Sequence, residues 1–88
     1  MVPGMDTTQI IGSNIKRRRE QLRLSLDHLG GLVGVTGATI CRWEQGAYSL
    51  PVHRLDALAV ALYCKPQDLT DPAWRPKPPH PTFADTAS

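Results

Sequence analysis

The sequence predicts an all-α fold, a compact bundle of five short helices followed by an extended, proline-rich C-terminal tail. Apolar residues recur at helical spacing between Ile11 and Leu69, which indicates amphipathic helices. Residues that typically begin and end helices separate these periodic stretches. Six of the eight prolines lie from Pro66 onward, and prolines this dense disfavour helix and favour extended backbone.

The length and charge indicate one small soluble domain. The chain has 88 residues and a formal net charge of +2, which permits nucleic-acid binding without requiring it. We expect residues 1–5 to be a flexible N-terminus, 6–70 the folded domain and 71–88 the tail. No apolar run reaches the roughly 20 residues of a membrane span. Two cysteines without a signal-peptide pattern favour a reducing, cytoplasmic location without a structural disulfide.

The first helix is expected over about residues 7–23. Asp6 and Gln9 have the spacing of a capping box, and Ile11, Ile15 and Leu22 follow at helical spacing. Five of the ten basic residues lie close together on this helix, and they can meet phosphates or simply face solvent. They are Lys16, Arg17, Arg18, Arg19 and Arg23.

The second helix is expected over about 26–33, with Ser25 as its N-cap and Gly34 ending it in the left-handed conformation. Gly30 and Gly31 lie inside it, where each costs about 1 kcal/mol relative to alanine. We expect Gly30 to be tolerated because another helix packs closely against it. The sequence suggests no such reason for Gly31.

Three further helices follow. Thr36 can cap the third, which is expected to run to about Gln45 and stop at Gly46. Pro51 can start the fourth, because proline fits a first helical turn. The segment PQDL, residues 66–69, is expected to form one last helical turn.

The stretch LGGLVGVTGATICRWEQG, residues 29–46, resembles the helix–turn–helix of the phage-repressor, Xre/Cro-type family. The resemblance extends to the basic first helix and to LPVHRLDALAVALYCKPQDL, and it covers about residues 10–69. It implies a lambda-repressor-like bundle whose third helix enters the major groove of double-stranded DNA.

The resemblance also assigns base-facing positions on the third helix. These are Gly37, Ala38, Cys41 and Arg42, with Gln45 near the phosphates at the far end. At 100° per residue, these positions fall on one side of a helix, and Ile40 and Trp43 fall on the other.

Further contacts are expected with the phosphates of DNA. At 100° per residue Arg17 and Arg18 diverge, so not every arginine of the first helix can face DNA. The candidate phosphate-contacting residues are Arg17, Arg18, Arg23, Ser25, Thr36, Thr39, Gln45, Tyr48 and Arg54.

An ion pair is expected between the first and third helices. In the family, the acid that matches Glu44 commonly pairs with an arginine of the first helix, which corresponds here to Arg19. The resemblance therefore implies an Arg19–Glu44 pair that holds the third helix at its angle.

The base-facing positions depart from the family pattern. Gly37 and Ala38 have no side-chain donor and Cys41 is a weak one, so Arg42 is the one strong base reader. Leu26 stands where the family often has a phosphate-contacting glutamine. Three outcomes stay open: readout by Arg42 with contacts to thymine methyls, readout of DNA shape, or adaptation of the domain to a protein partner.

Other chemistry is not indicated. The histidines and cysteines lack the paired spacing of zinc ligands, and no nucleophile lies in a recognisable catalytic context. We therefore expect no metal, no cofactor and no enzymatic activity. In the tail, we expect Trp74 to pack on the bundle and Phe83 to be free.

The predicted function is that of a transcriptional regulator, a repressor that binds a pseudo-palindromic operator as a homodimer at the nucleoid. The dimer surface is expected from the fourth helix through Leu69, with the tail as a further candidate segment. Two alternatives stay open. One is a protein-interaction module such as an antirepressor or adaptor. The other is the DNA-binding antitoxin of a toxin–antitoxin pair, whose C-terminal tail binds a protein partner.

Overall fold

The computed structural model of this protein describes residues 7–46 and 50–77. These residues form helices and no strand. The helices are α1 (Thr7–Gln21), α2 (Leu26–Val33), α3 (Gly37–Glu44), α4 (Val52–Ala61) and α5 (Pro66–Leu69). The expectations for residues 1–5, for Asp6 as a cap, for Tyr48 and for Phe83 lie outside the described residues.

The helix ends follow the predicted capping residues. The Ser25 side chain accepts a hydrogen bond from the His28 backbone N–H, and Thr36 accepts one from the Thr39 N–H. Gly34 ends α2 with φ 87°, in the left-handed region that glycine adopts without strain. These caps fix the two boundaries of the turn that joins α2 to α3.

The first helix ends two residues earlier than predicted. Arg23 adopts φ 60°, a left-handed conformation that an α-helix cannot contain. The Leu24 N–H donates to the Arg19 carbonyl at 3.1 Å, which closes the end of α1 in the way a left-handed cap does. The chain then turns directly into α2.

The core joins all five helices. Its fully buried apolar side chains include Ile15, Leu29, Ile40, Leu58 and Leu69, one from each helix. Burying a side chain of this size stabilises a fold by about 1.5–3 kcal/mol, so each helix is tied to the same centre. The inner side of α3 is therefore fixed in the core, and its outer side faces solvent.

Glycines allow close contacts around α3. A Cβ atom added to Gly30 would lie 2.6 Å from the Val35 carbonyl oxygen, and one added to Gly12 would lie 2.6 Å from the Glu44 carbonyl oxygen. Both distances are far below van der Waals contact, so any larger residue would push the elements apart. The close packing predicted at Gly30 is confirmed, while a Cβ at Gly31 would meet nothing within 4 Å.

The segment after α5 packs against α1. The Asn14 side-chain amide donates to the carbonyls of Leu69 and Asp71, at 2.9 and 3.0 Å. The Gln21 amide donates to the Pro76 carbonyl at 2.9 Å. Trp74 packs against the core, as predicted. The folded unit therefore continues past residue 70, the boundary predicted from the sequence, and residues 70–77 form what we call the C-terminal strap.

Within residues 7–46 and 50–77, none of the helices has the length and apolarity needed to cross a lipid bilayer.

Candidate nucleic-acid interface

The outer side of α3 forms the exposed face of the helix–turn–helix unit. On the inner side, Ile40 is fully buried and Trp43 is 4% exposed. Solvent reaches Ala38, Thr39, Cys41, Arg42 and Gln45, which we call the recognition face. The division between the two sides agrees with the predicted helical spacing. Arg42 lies in the last turn of α3 and is the one cation on this face.

Gly37 does not lie on the recognition face. It is buried, and a Cβ atom added to it would overlap the Oδ1 atom of Asp27. The prediction that Gly37 faces bases is therefore wrong, because the Asp27 side chain from α2 covers that position. The spacing along α3 alone could not show this, since the covering residue belongs to another helix.

The ion pair between α1 and α3 is present as predicted. Arg19 Nε donates to Glu44 Oε2 at 2.6 Å and Nη2 donates to Oε1 at 3.2 Å, a bidentate arrangement. The two side chains are only 13% and 6% exposed. The hydrogen bonds to Glu44 raise the pKa of Arg19 above its ordinary value, although burial opposes them. The pair fixes α3 against α1 from the side that faces away from Arg42.

Arg19 also reaches the connection between α1 and α2. Its Nη1 donates to the Leu24 carbonyl at 2.8 Å. One guanidinium thus joins the end of α1, the loop before α2 and the last turn of α3. These are the elements whose relative positions set the angle at which the recognition face is presented.

Several predicted phosphate contacts lie on exposed side chains near the recognition face. Arg23 and Ser25 are exposed in the connection that leads into α2, and Thr36 and Gln45 are exposed at the two ends of α3. The Thr36 and Thr39 hydroxyls are 3.0 Å apart. A phosphate contact by any of these residues stays a prediction.

Arg18 is buried, and the prediction that it contacts phosphate is wrong. Its side chain is 6% exposed, with Nε donating to the Leu62 carbonyl and Nη1 to the Lys77 carbonyl, both at 2.8 Å. The guanidinium therefore links the end of α4 to the C-terminal strap. Its position at helical spacing between Ile15 and Leu22 was a signal of burial.

Arg17 and Arg54 are also engaged within the protein. Arg17 Nη1 donates to the Asn14 side chain at 3.0 Å and to the Trp74 carbonyl at 3.2 Å, so one nitrogen of this guanidinium binds the C-terminal strap. Arg54 Nη1 donates to the Val33 carbonyl at 2.7 Å, which holds α4 beside the turn. Both residues are half-buried, and a phosphate contact by either one stays a prediction.

Residues 10–73 match a family described as a helix-turn-helix domain. The chain belongs to this family. The match includes all of α2 to α5 and the start of the C-terminal strap. It confirms the motif that was identified from residues 29–46.

Two matches connect this helix-turn-helix domain with a phage repressor. It is 37% identical over 62 residues to repressor protein C2 of Salmonella phage P22, a span of 70% of this chain and 29% of that repressor. The chain thus spans less than a third of that relative's length. Its structure also matches the P22 c2 repressor in complex with a synthetic operator, with a TM-score of 0.69, 35% identity and coverage of 74% of this chain and 98% of that one. The predicted repressor-like fold is confirmed.

A third match is to part of an enzyme. Hydroxypropylphosphonic acid epoxidase from S. wedmorenis matches with a TM-score of 0.69 and 31% identity, over 76% of this chain and 36% of the enzyme. The helix-turn-helix domain thus resembles a minor part of that longer protein.

Proposed function

We propose that this helix-turn-helix domain binds double-stranded operator DNA and represses transcription. The observation that carries the proposal is the presentation of α3. Its inner side is held by Ile40 and Trp43 in the core, and its outer side is open to a groove. The similarity to a repressor solved with its operator supports this function. A regulator of this type acts in the cytoplasm, at the nucleoid, and needs no catalytic step.

Arg42 is the proposed main base reader. Its side chain is exposed on the recognition face, and a guanidinium can donate two hydrogen bonds to guanine O6 and N7, a contact worth about 1–3 kcal/mol of discrimination. Ala38 and Cys41 beside it are small and can approach thymine methyl groups. The remaining selectivity then comes from the shape of the DNA.

The phosphate contacts are proposed to come from both ends of the helix-turn-helix unit. Arg23 and Ser25 precede α2, Thr36 and Thr39 lie at the start of α3, and Gln45 lies at its end. These contacts orient the domain without selecting a sequence. Each cation that neutralises a phosphate steepens the dependence of log K on log salt by about 0.9.

The proposal includes a homodimer on a pseudo-palindromic operator. Val52 and Val60 are each 77% exposed on α4, and their spacing places them on one side of that helix. Tyr63, 76% exposed, follows the end of the helix. Burying such side chains against a second copy is favourable. Two recognition faces one helical turn of DNA apart, about 34–36 Å, would then meet the two half-sites.

Substitution of Arg42 tests this function. The protein and its Arg42→Ala variant are mixed with genomic DNA fragments, and the retained DNA is sequenced. We expect the variant to lose a guanine preference in each half-site and to bind about 5- to 100-fold more weakly. Lys77→Ala is the matched control, because it removes an exposed charge but keeps the carbonyl that Arg18 binds.

If the parent protein, Arg42→Ala and Lys77→Ala all retain DNA with the same motif, Arg42 is not the main base reader. Failure of the parent protein to retain DNA at low salt would overturn the function and favour the protein-interaction module.

A further inference from the structure

The space of the missing side chain at Gly37 is filled by Asp27. Asp27 is the second residue of α2, and Gly37 is the first residue of α3. A Cβ atom added to Gly37 would overlap Asp27 Oδ1 and lie 3.1 Å from Asp27 Cγ. In the helical pattern of α3, a side chain at residue 37 would point to the same side as Cys41 and Gln45. The carboxylate therefore occupies the place of a side chain at residue 37, beside the recognition face.

The carboxylate is available for an external donor. Asp27 is exposed, and among the residues that the structure describes its oxygens accept no hydrogen bond. The first turn of α2 and the N-terminus of α3 both lie beside it, and the positive ends of helix dipoles favour a negative charge there. These dipoles explain why an acid is tolerated at residue 27, but they leave its acceptor oxygens unused.

We propose that Asp27 is a specificity-determining residue that accepts a hydrogen bond from the N4 amino group of a cytosine in the major groove. This inference rests on the proposed function, binding of double-stranded DNA. A carboxylate accepts hydrogen bonds and donates none. Guanine and thymine present only acceptors in the major groove, and adenine presents the acceptor N7 beside its amino group. Cytosine is the base whose major-groove edge offers a donor without an acceptor of its own.

The position relative to Arg42 locates the cytosine. Residues 37 and 42 are five positions apart on α3, which is about 7.5 Å along the helix axis. Base pairs rise by about 3.4 Å. The cytosine read by Asp27 therefore lies roughly two base-pair steps from the guanine read by Arg42, in the same half-site.

Selection from random-sequence DNA tests the proposal. The parent protein, Asp27→Ala and Asp27→Asn are each used to retain DNA, and the retained pools are sequenced. We expect the parent motif to contain a cytosine at the stated position and Asp27→Ala to reduce that preference at least fivefold. Asp27→Asn should replace cytosine by adenine, because an asparagine amide pairs with adenine N6 and N7. A merely structural role of Asp27 would not exchange one base for another.

The controls separate the two proposals. Glu20→Gln removes one exposed negative charge from α1 and should leave the motif unchanged. If Asp27→Ala and Asp27→Asn both select the same motif as the parent protein, Asp27 does not read a base. That result would not contradict the proposed DNA binding. Equal strengthening of binding to all sequences by Asp27→Ala would also overturn it, since that result indicates phosphate repulsion alone. A parent protein that retains no DNA would overturn both.

Discussion

Replacing Glu44 by alanine should destabilise the domain strongly. The substitution leaves the Arg19 guanidinium with the Leu24 carbonyl as its partner and removes both hydrogen bonds to Glu44. Because the arginine side chain is only 13% exposed, water can replace the carboxylate only in part. A buried cation without a counter-charge is the main cost of breaking such a pair.

The expected loss follows from the burial of the pair. Breaking a buried pair costs about 3–5 kcal/mol, and the remaining exposure of Arg19 with its Leu24 contact lowers our expectation to about 2–4 kcal/mol. Domains of this size lose about 4–8 °C in Tm per kcal/mol. Glu44→Ala should therefore lower Tm by about 8–32 °C, a large part of the stability of a small domain.

Thermal unfolding followed by circular dichroism measures this effect. The double variant Arg19→Met, Glu44→Leu is the key comparison, because it removes both charges and keeps apolar volume at the helix junction. We expect it to be more stable than either Glu44→Leu or Arg19→Met alone, which would give a large coupling energy in a double-mutant cycle. A Glu44→Ala melting curve within about 2 °C of the parent, or additive single effects, would refute the reasoning about the pair.

Further predictions concern Arg18, Arg23 and Cys64. Arg18→Ala should lower the free energy of unfolding by about 2–4 kcal/mol, because it leaves the Leu62 and Lys77 carbonyls without their donor, and it should not change the salt slope of DNA binding. Arg23→Ala should leave the free energy of unfolding unchanged and reduce that slope by about 0.9. If both variants changed the same quantity, the assignment of Arg18 to the protein interior and Arg23 to the DNA-binding surface would be wrong. Arg23→Gly should raise the free energy of unfolding by about 1 kcal/mol, because glycine adopts the left-handed conformation of residue 23, φ 60°, without strain. It should lower the salt slope as Arg23→Ala does. An unchanged Tm would show that the backbone at Arg23 is not strained. Burial raises the pKa of Cys64 to about 11 from 9.0, so the free energy of unfolding should fall between about pH 9 and 11 as the unfolded thiol ionises first. Chemical unfolding across that range should show a smaller fall for Cys64→Ala, and equal falls would count against the burial effect.

The boundaries of the helix-turn-helix unit could be predicted because they depend on neighbouring residues. Ser25, Gly34 and Thr36 cap or end helices through contacts three or four positions away, and such contacts are visible in a linear sequence. The inward position of Ile40 followed from helical spacing in the same way. The Arg19–Glu44 pair was available only through the family resemblance.

The roles of the other arginines depended on contacts between distant parts of the chain. Arg18 binds carbonyls 44 and 59 residues away, and charge alone does not distinguish it from Arg23. Arg17 is engaged by the C-terminal strap, whose prolines had indicated a separate tail. Backbone carbonyls can be bound wherever the chain passes, so composition could not predict that the strap joins the folded unit.

The contact of Asp27 with Gly37 could not be predicted from local sequence patterns either. Asp27 and Gly37 are ten positions apart on different helices, and the turn between those helices decides whether the carboxylate reaches the glycine. The sequence showed a glycine at a base-facing position and an acid in the first turn of α2. Only the packing of α2 against α3 relates the two.

A salt titration of DNA binding followed by sequencing of the retained DNA tests the central claim most directly. The account predicts that log K falls with log salt, because each cation that neutralises a phosphate, Arg23 among them, contributes about 0.9 to the slope. It also predicts a two-fold symmetric motif with a guanine in each half-site for Arg42. Binding without a motif would contradict sequence-specific readout. The absence of retention at low salt would contradict the DNA-binding function itself.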